Sequence, residues 1–199
     1  IIKEHSVTYV EVVPSVLVAL LNTPYSKNQY SNITSLSYIG CGSATLPVET
    51  QNAFYNKYGV KVANLYGLSE TGPTHVDLPT EKGWRPGSIG RPLDVNEVRI
   101  VDKQGNFLAE GQEGEITIKG ENVFIGYKNN DKLYNRAVKN GLFHTGDLGR
   151  FDADGHLFYL DRKKQVLRHS AENVLPTEVE EVVNAHPAVR DCAVVGVSN

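Results

Sequence analysis

The sequence predicts a mixed α/β protein in three consecutive parts. These are an α/β layer over residues 1–86, a small antiparallel sheet or barrel over 87–164, and the start of a small α+β region over 165–199. Three observations carry this prediction. Strand-like and helix-like segments alternate as far as about residue 80, with a glycine-rich turn after one strand, which is the grammar of an α/β layer. Period-two alternation then takes over: Asn96, Val98 and Ile100 against Glu97 and Arg99, and Ile116 and Ile118 against Glu115, Thr117 and Lys119. Beyond the basic run Arg162-Lys163-Lys164, a fresh helix signal begins near Pro176.

Each element has its own local reason. Thr8–Val13 is rich in β-formers, and Pro14 then opens an apolar helix over Ser15–Leu21, because proline suits a first helical turn. Ser35–Ile39 reads as a short strand ending at Gly40. Pro47–Tyr58 reads as a helix with Ala53 and Phe54 inward and Gly59 as its stop. Val60–Tyr66 is another strand. The β-rich part turns at Asp102–Asn106 and at Asp152–Gly155, where Asp and Gly occur together. The second turn resembles the start of a calcium loop, but it lacks the later ligands and terminal Glu, so a plain turn is expected. Thr177 and Glu180 stand in capping-box spacing. Val179, Val182 and Val183 give the helix an apolar face, Pro187 ends it, and Val189–Val197 reads as a strand, the pattern of a βαβ-like or ferredoxin-like half.

Composition narrows the function classes. With 40% hydrophobic and 22% charged residues, the chain can bury a sizeable core and is not a disordered segment. Twenty Lys and Arg against 23 Asp and Glu give a net charge of −3, which argues against a nucleic-acid partner. The longest charge-free stretch, Val12–Ser26, is broken by Pro14, Asn22 and Pro24, so no transmembrane segment is expected. Lys3 and Glu4 interrupt any secretory start, and Cys41 and Cys192 are too few for a disulfide framework. Two reduced, buried thiols in a cytoplasmic setting are expected. The chain has no Met and opens on Ile1-Ile2, as a processed chain or a piece of a longer one does. Oligomeric state leaves no mark in the sequence.

Chemistry concentrates in two loops. In the first, Tyr66 to Gly72, the glycines Gly67 and Gly72 let backbone approach a ligand and Ser69 and Thr71 offer hydroxyls. Tyr66 can stack on a flat base, and Glu70 is either a solvated loop carboxylate or a ligand for a hard cation. The loop follows a strand of the α/β layer, where ligands bind in such sheets. No Walker-type phosphate loop occurs. In the second loop, His144 to Leu148, Asp147 behind Gly146 is either an Asx-turn residue or an acceptor for two ribose hydroxyls. His144 alone reads as a surface or turn histidine.

The order of the motifs adds a resemblance. YGLSETGP (Tyr66–Pro73) is followed by PGSIGRPL (Pro86–Leu93), GEITIKGENVFIGY (Gly114–Tyr127), HTGDL (His144–Leu148), DRKKQ (Asp161–Gln165) and ENVLPTEVE (Glu172–Glu180). CGSATLP (Cys41–Pro47) precedes them. In this order they resemble the adenylate-forming superfamily of acyl-CoA synthetases, nonribosomal adenylation domains and luciferases, and the last block is most similar to the acyl-CoA ligases.

The resemblance implies an internal fragment: the back half of a large adenylate-forming domain, made of an α/β layer and a small antiparallel β-barrel, then the start of a small C-terminal domain. A phosphate loop before Ile1 and a catalytic lysine after Asn199 are expected, so the isolated chain is expected to be inactive. The parent is expected to be an ATP-dependent carboxylate–CoA ligase (an acyl-CoA synthetase, a class that serves fatty acid metabolism) that uses ATP, Mg2+ and coenzyme A and forms an acyl-AMP intermediate and then an acyl-CoA thioester; the sequence does not reveal which small-molecule carboxylic acid it takes. By the same resemblance Gly42, Ser43 and Ala44 line adenosine, Tyr66 and Gly67 meet the adenine, and Thr71 touches the α-phosphate. Glu70 holds magnesium, Asp147 binds the ribose hydroxyls, and Arg162 contacts ribose or phosphate. Val10, Gly40 and His75 wall the acyl pocket, and Gln165 is the hinge between domains. Two departures bear on thioester formation: Gln165 stands where Asp or Lys is usual, and Ser170-Ala171 stands where glycines are usual. Two alternatives are a nucleotide-binding module without turnover, and an adenylating enzyme that loads a carrier protein's phosphopantetheine.

Overall fold

The structure, a computed structural model, describes residues 1–24, 33–79, 84–169, 172–186, 188–189 and 192–197. It has the expected mixed α/β character and divides into two compact units, Ile1–Gly67 with Pro73–Leu93, and Leu68–Gly72 with Asp94–Asn199. The sequence reading draws three parts, with breaks at 86/87 and 164/165. The structural division instead falls at Leu93, and residues after Lys164 cluster with the second unit. No helix among the described residues is long and apolar enough to cross a membrane.

The first unit is built on β1 (Tyr9–Val12), β2 (Tyr38–Cys41) and β3 (Val62–Leu68), which pair in parallel. β4 (Gly72–Val76) and β5 (Arg91–Pro92) extend the sheet in the order β1-β2-β3-β4-β5. Two helices, α1 (Pro14–Asn22) and α2 (Val48–Tyr58), supply Leu17 and Phe54 to a core shared with Ile39, Cys41 and Val62. Pro14 opens α1 as expected, and α2 stops at Gly59, whose φ of 69° suits glycine. The carbonyls left unpaired at the end of α1 are taken up from α2. Lys57 Nζ donates to Leu21 O at 2.6 Å and Thr23 O at 3.2 Å, and the Tyr58 hydroxyl donates to Leu20 O at 2.7 Å. β2 begins later than the sequence suggests, and ahead of it the Ser35 hydroxyl donates to Val7 O at 2.8 Å.

The second unit centres on an antiparallel sheet, β10 (Leu157–Arg162), β9 (Leu142–Phe151), β7 (Gly114–Gly120) and β6 (Asn96–Val101) in that order, with β8 (Val138–Lys139) at β9. A helix that hydrophobic periodicity does not signal, α3 (Asp131–Ala137), starts where Asn130 Oδ1 accepts from Leu133 N at 3.1 Å. β11 (Leu167–His169) and β12 (Glu172–Val174) pair as a two-stranded antiparallel sheet ahead of α4 (Pro176–Asn184).

The expected cap of α4 is corrected. Thr177 lies inside the helix, and its N–H donates to Asp161 Oδ2 of β10 at 3.2 Å, while Glu180 Oε1 accepts from Val194 N at 2.7 Å. A buried aspartate sixteen residues upstream therefore caps the helix in place of a local box. The expected strand Val189–Val197 is also corrected, because residues 192–197 carry no regular structure. Pro187 lies outside the described residues.

Candidate functional site

In the first unit, the loop after β2 carries Gly42, Ser43 and Ala44. Gly42 is buried and donates its N–H to Val12 O at 3.3 Å, while Ser43 and Ala44 are exposed. Ser43 holds a left-handed φ of 70°, a conformation that a serine adopts only where the surrounding chain imposes it. Tyr66 is half-buried and Gly67 exposed near the end of β3. The Tyr66 ring is held edge-on by His75, with centroids 5.6 Å apart and planes at 65°. His75 is fully buried, with Nδ1 3.0 Å from the Thr74 hydroxyl, and burial pushes its imidazole down to about 3. It is therefore neutral at physiological pH.

The residues expected in the acyl wall are not brought together. In β1 and β2, Val10 pairs with Ile39 and Glu11 with Gly40, so Val10 and Gly40 project to opposite faces of the sheet. Val10 lines an apolar cavity of about 1020 Å³ with Leu17, Leu20, Ile39, Phe54 and Tyr58. Gly40 faces Tyr9 and Leu65 on the other side, where a Cβ would collide with both. His75 has no exposed surface and backs Tyr66. Of Val10 and Gly40, only Gly40 projects to the face away from that core.

In the second unit, the turn Leu68–Gly72 is clipped to the segment after β7. Phe124 N donates to Glu70 O at 2.7 Å, Asn122 Nδ2 donates to Thr71 O at 2.7 Å, and the Tyr127 hydroxyl donates to Glu70 Oε1 at 2.8 Å. Burial, reinforced by Glu70, raises the Tyr127 phenol above its ordinary value. Glu70 is half-buried and oriented by one hydroxyl, a hard oxygen donor suited to a magnesium ion that also binds phosphates. Thr71 is 1% exposed, and its hydroxyl donates to Gly72 O at 2.9 Å, within the turn's own backbone.

Asp147 and Arg162 are brought together. They are registered partners across β9 and β10, and Arg162 Nε lies 2.8 Å from Asp147 Oδ1. Asp147 is 1% exposed, whereas the Arg162 side chain is 51% exposed. A buried carboxylate is thus steered by a cation that still reaches solvent. Beside them, burial and the charges of Asp147 and Asp161 push the Tyr159 phenol up to about 12. Gln165 is exposed, and its N–H donates to Arg162 O at 2.8 Å. Ser170 and Ala171 lie outside the described residues.

Sequence reasoning passed over Glu115, Lys163, His144 and Tyr127 as site residues. Alternation places Glu115 on the polar side of β7, yet Glu115, Ile116, Thr117 and Ile118 are all buried. The available signal was that Glu115, Lys163, His144 and Tyr127 each fall inside a motif block. At the other turn, Asp152 Oδ1 accepts from Asp154 N and His156 N, both at 2.9 Å. The donor atoms of Asp152, Asp154 and His156 lie within 4.8 Å of one another, but this backbone bonding is that of a plain Asx turn. Both cysteines are free thiols; Cys41 is buried, which pushes its thiol up to about 11, and Cys192 is half-buried, contrary to the expectation of two buried thiols.

Comparison with known proteins gives consistent matches. The family model described as AMP-binding enzyme matches residues 1–128. The chain is 34% identical to a sulfoacetate–CoA ligase of Cupriavidus necator over 195 residues, covering 97% of this chain and 37% of that protein. It is 35% identical to a long-chain-fatty-acid–CoA ligase of Bacillus subtilis over 199 residues, covering 99% and 35%. The chain thus spans little more than a third of the length of these relatives. Among solved structures, ATP-bound MatB from Rhodopseudomonas palustris superposes with a TM-score of 0.90 at 32% identity, over 96% of this chain and 38% of that one. O-succinylbenzoate coenzyme A synthetase (MenE) from Bacillus subtilis, in complex with ATP and magnesium, gives 0.84 at 32% identity, over 100% and 40%.

Proposed function

The chain belongs to the AMP-binding enzyme family, and from that premise we propose that the protein containing it is an ATP-dependent carboxylate–CoA ligase. A carboxylate oxygen of the acid attacks the α-phosphorus of ATP in line and pyrophosphate leaves. The coenzyme A thiol then loses its proton as its sulfur attacks the acyl carbon, the acyl C–O bond breaks, and AMP leaves carrying the bridging oxygen that came from the acid. The catalytic task in the first step is electrostatic, because charge spreads over the phosphoryl oxygens as the acid approaches.

The reading is carried by the pairing of buried Asp147 with half-exposed Arg162 at 2.8 Å. A carboxylate fixed beside a guanidinium matches a ribose that offers two hydroxyl donors next to an anionic phosphate. In this reading Asp147 accepts the ribose hydroxyls and Arg162 turns toward ribose or phosphate. Tyr66 stacks on the adenine, and the backbone of Gly42, Ser43, Ala44 and Gly67 lies along adenosine. Glu70, held by Tyr127, binds a magnesium ion, which when bound neutralises phosphate charge. Thr71 reaches the α-phosphate only by rotating its hydroxyl out of the turn, so its first role is to shape that turn. Gln165 is the hinge between large and small domains. Gly40 contributes to the acyl wall, and the substrate is proposed at the level of a carboxylic acid, since the relatives' names span sulfonated and long aliphatic acids.

The test is to follow acid-dependent ATP–pyrophosphate exchange in the full-length protein, then thioester yield with coenzyme A and with a carrier protein. Exchange without either thioester limits the reading to adenylation, and nucleotide binding without exchange refutes it. The 199-residue chain by itself is proposed to lack exchange activity.

A further inference from the structure

Asp147 and Arg162 do not stand alone. Their chain neighbours Gly146 and Lys163 are joined by a backbone bond, Lys163 N to Gly146 O at 2.8 Å. Both sides of this joint are fastened to a third strand through Glu115 of β7. Gly146 N donates to Glu115 Oε1 at 3.2 Å, and Lys163 Nζ donates to Oε2 at 2.8 Å. His144 Nδ1 lies 3.1 Å from the same Oε2. The pairing of β7 with β9 shifts register between Glu115 and Thr117, and such an irregularity re-aims a side chain out of the regular ladder. Gly146 sits at a φ of 75°, which frees its N–H to meet the carboxylate. Burial by itself raises the Glu115 carboxyl, but Lys163 and His144 outweigh it and hold the group below the usual range. Glu115 is thus an ionised, buried anchor with donors from beside both members of the Asp147–Arg162 pair, Gly146 in β9 and Lys163 just after β10.

We propose that Glu115 is a positioning residue for nucleotide binding: it fixes the Asp147 carboxylate against the ribose without touching the nucleotide. The proposal rests on the reading of Asp147 as the ribose acceptor. Two hydroxyls are recognised by one carboxylate only when its oxygens are held to within about 0.5 Å. Arg162 is half-exposed, so it cannot supply that restraint alone. Fastening Gly146 and Lys163 to one buried carboxylate fixes the residues next to both members of the pair.

The test is calorimetric titration of the full-length protein with ATP and with 2′,3′-dideoxy-ATP, in wild type, Glu115→Gln, Glu115→Ala and Lys163→Met, each checked by its melting temperature. Wild type is expected to prefer ATP by about tenfold or more. In Glu115→Ala the preference falls to about threefold or less, because ATP weakens while the dideoxy nucleotide, which has no hydroxyls to present, does not. Glu115→Gln and Lys163→Met fall between, and they decide the matter if the alanine variant does not fold. Undiminished preference in folded variants overturns the proposal and leaves the ribose reading intact. Equal weakening of both nucleotides also overturns it, because that marks general damage to the loop. A wild-type protein with no preference overturns the ribose reading and the proposal with it.

Discussion

The capping of α4 by Asp161 can be tested against the local capping box that the sequence suggests. Asp161 is 2% exposed, its Oδ1 accepts from Arg162 N at 2.6 Å, and its Oδ2 accepts from Thr177 N at 3.2 Å. Asp161→Ala removes an N-terminal cap, worth about 1 kcal/mol. It also removes a negative charge from the positive end of the helix, worth up to about 1 kcal/mol more in a partly buried setting. The sum is about 2 kcal/mol, or roughly a 30-fold change in the local opening equilibrium. Thr177→Ala removes only a hydroxyl, with an expected cost within about 0.5 kcal/mol, as at an ordinary surface site. Native-state hydrogen exchange of the full-length protein, read on peptides covering residues 172–186, resolves the two. Asp161→Ala should speed exchange at the start of α4 by about the factor above, with Thr177→Ala close to wild type. If Thr177→Ala loses as much protection as Asp161→Ala, the capping argument is refuted and the local box restored.

Three further outcomes are expected. Asp77 is 1% exposed and burial pushes its carboxyl up to about 7, against the lowering effect of its bonds from the Arg85 N–H, so the fold holds a proton that the unfolded chain has already released. Stability therefore falls as pH rises from near 4 through about 7, and Asp77→Asn should raise the melting temperature at pH 8 but not at pH 4; equal shifts at both would contradict this. Tyr127→Phe deletes the hydroxyl on Glu70, a bond to a charged group, and should lower turnover by about tenfold while raising the magnesium concentration needed; an unchanged magnesium dependence would count against Glu70 as the ligand. Gln165→Pro fixes φ and removes the N–H bound to Arg162 O, so it should cripple either pyrophosphate exchange or thioester formation and spare the other; equal loss of both would argue against a hinge.

Legibility in the sequence followed the range of each interaction. Proline at the start of α1, glycine after α2 and the period-two strands β6 and β7 were readable because their causes lie within a few residues. The short helix α3 was missed because seven residues hold too little periodicity, and its cap at Asn130 is a single polar contact. The motif blocks were equally readable, and they marked Glu70, Asp147 and Arg162 as residues with chemistry.

By itself, then, the sequence determined the α/β character, most of the elements and which polar side chains fall within the motif blocks. The tertiary structure alone decided which of those side chains face one another. It paired Asp147 with Arg162 through strand register, and it brought Glu115 to Lys163 across 48 residues and Glu70 to Tyr127 across 57. It also separated Val10 from Gly40 and buried His75 behind Tyr66. The physical reason is that periodicity reports only how one element presents its own faces. A buried charge, by contrast, needs donors wherever the chain can supply them, and strand pairing makes distant residues neighbours. At Glu115, polar alternation predicted an exposed side chain, but three nearby donors compensate the cost of desolvating its carboxylate, and it is buried.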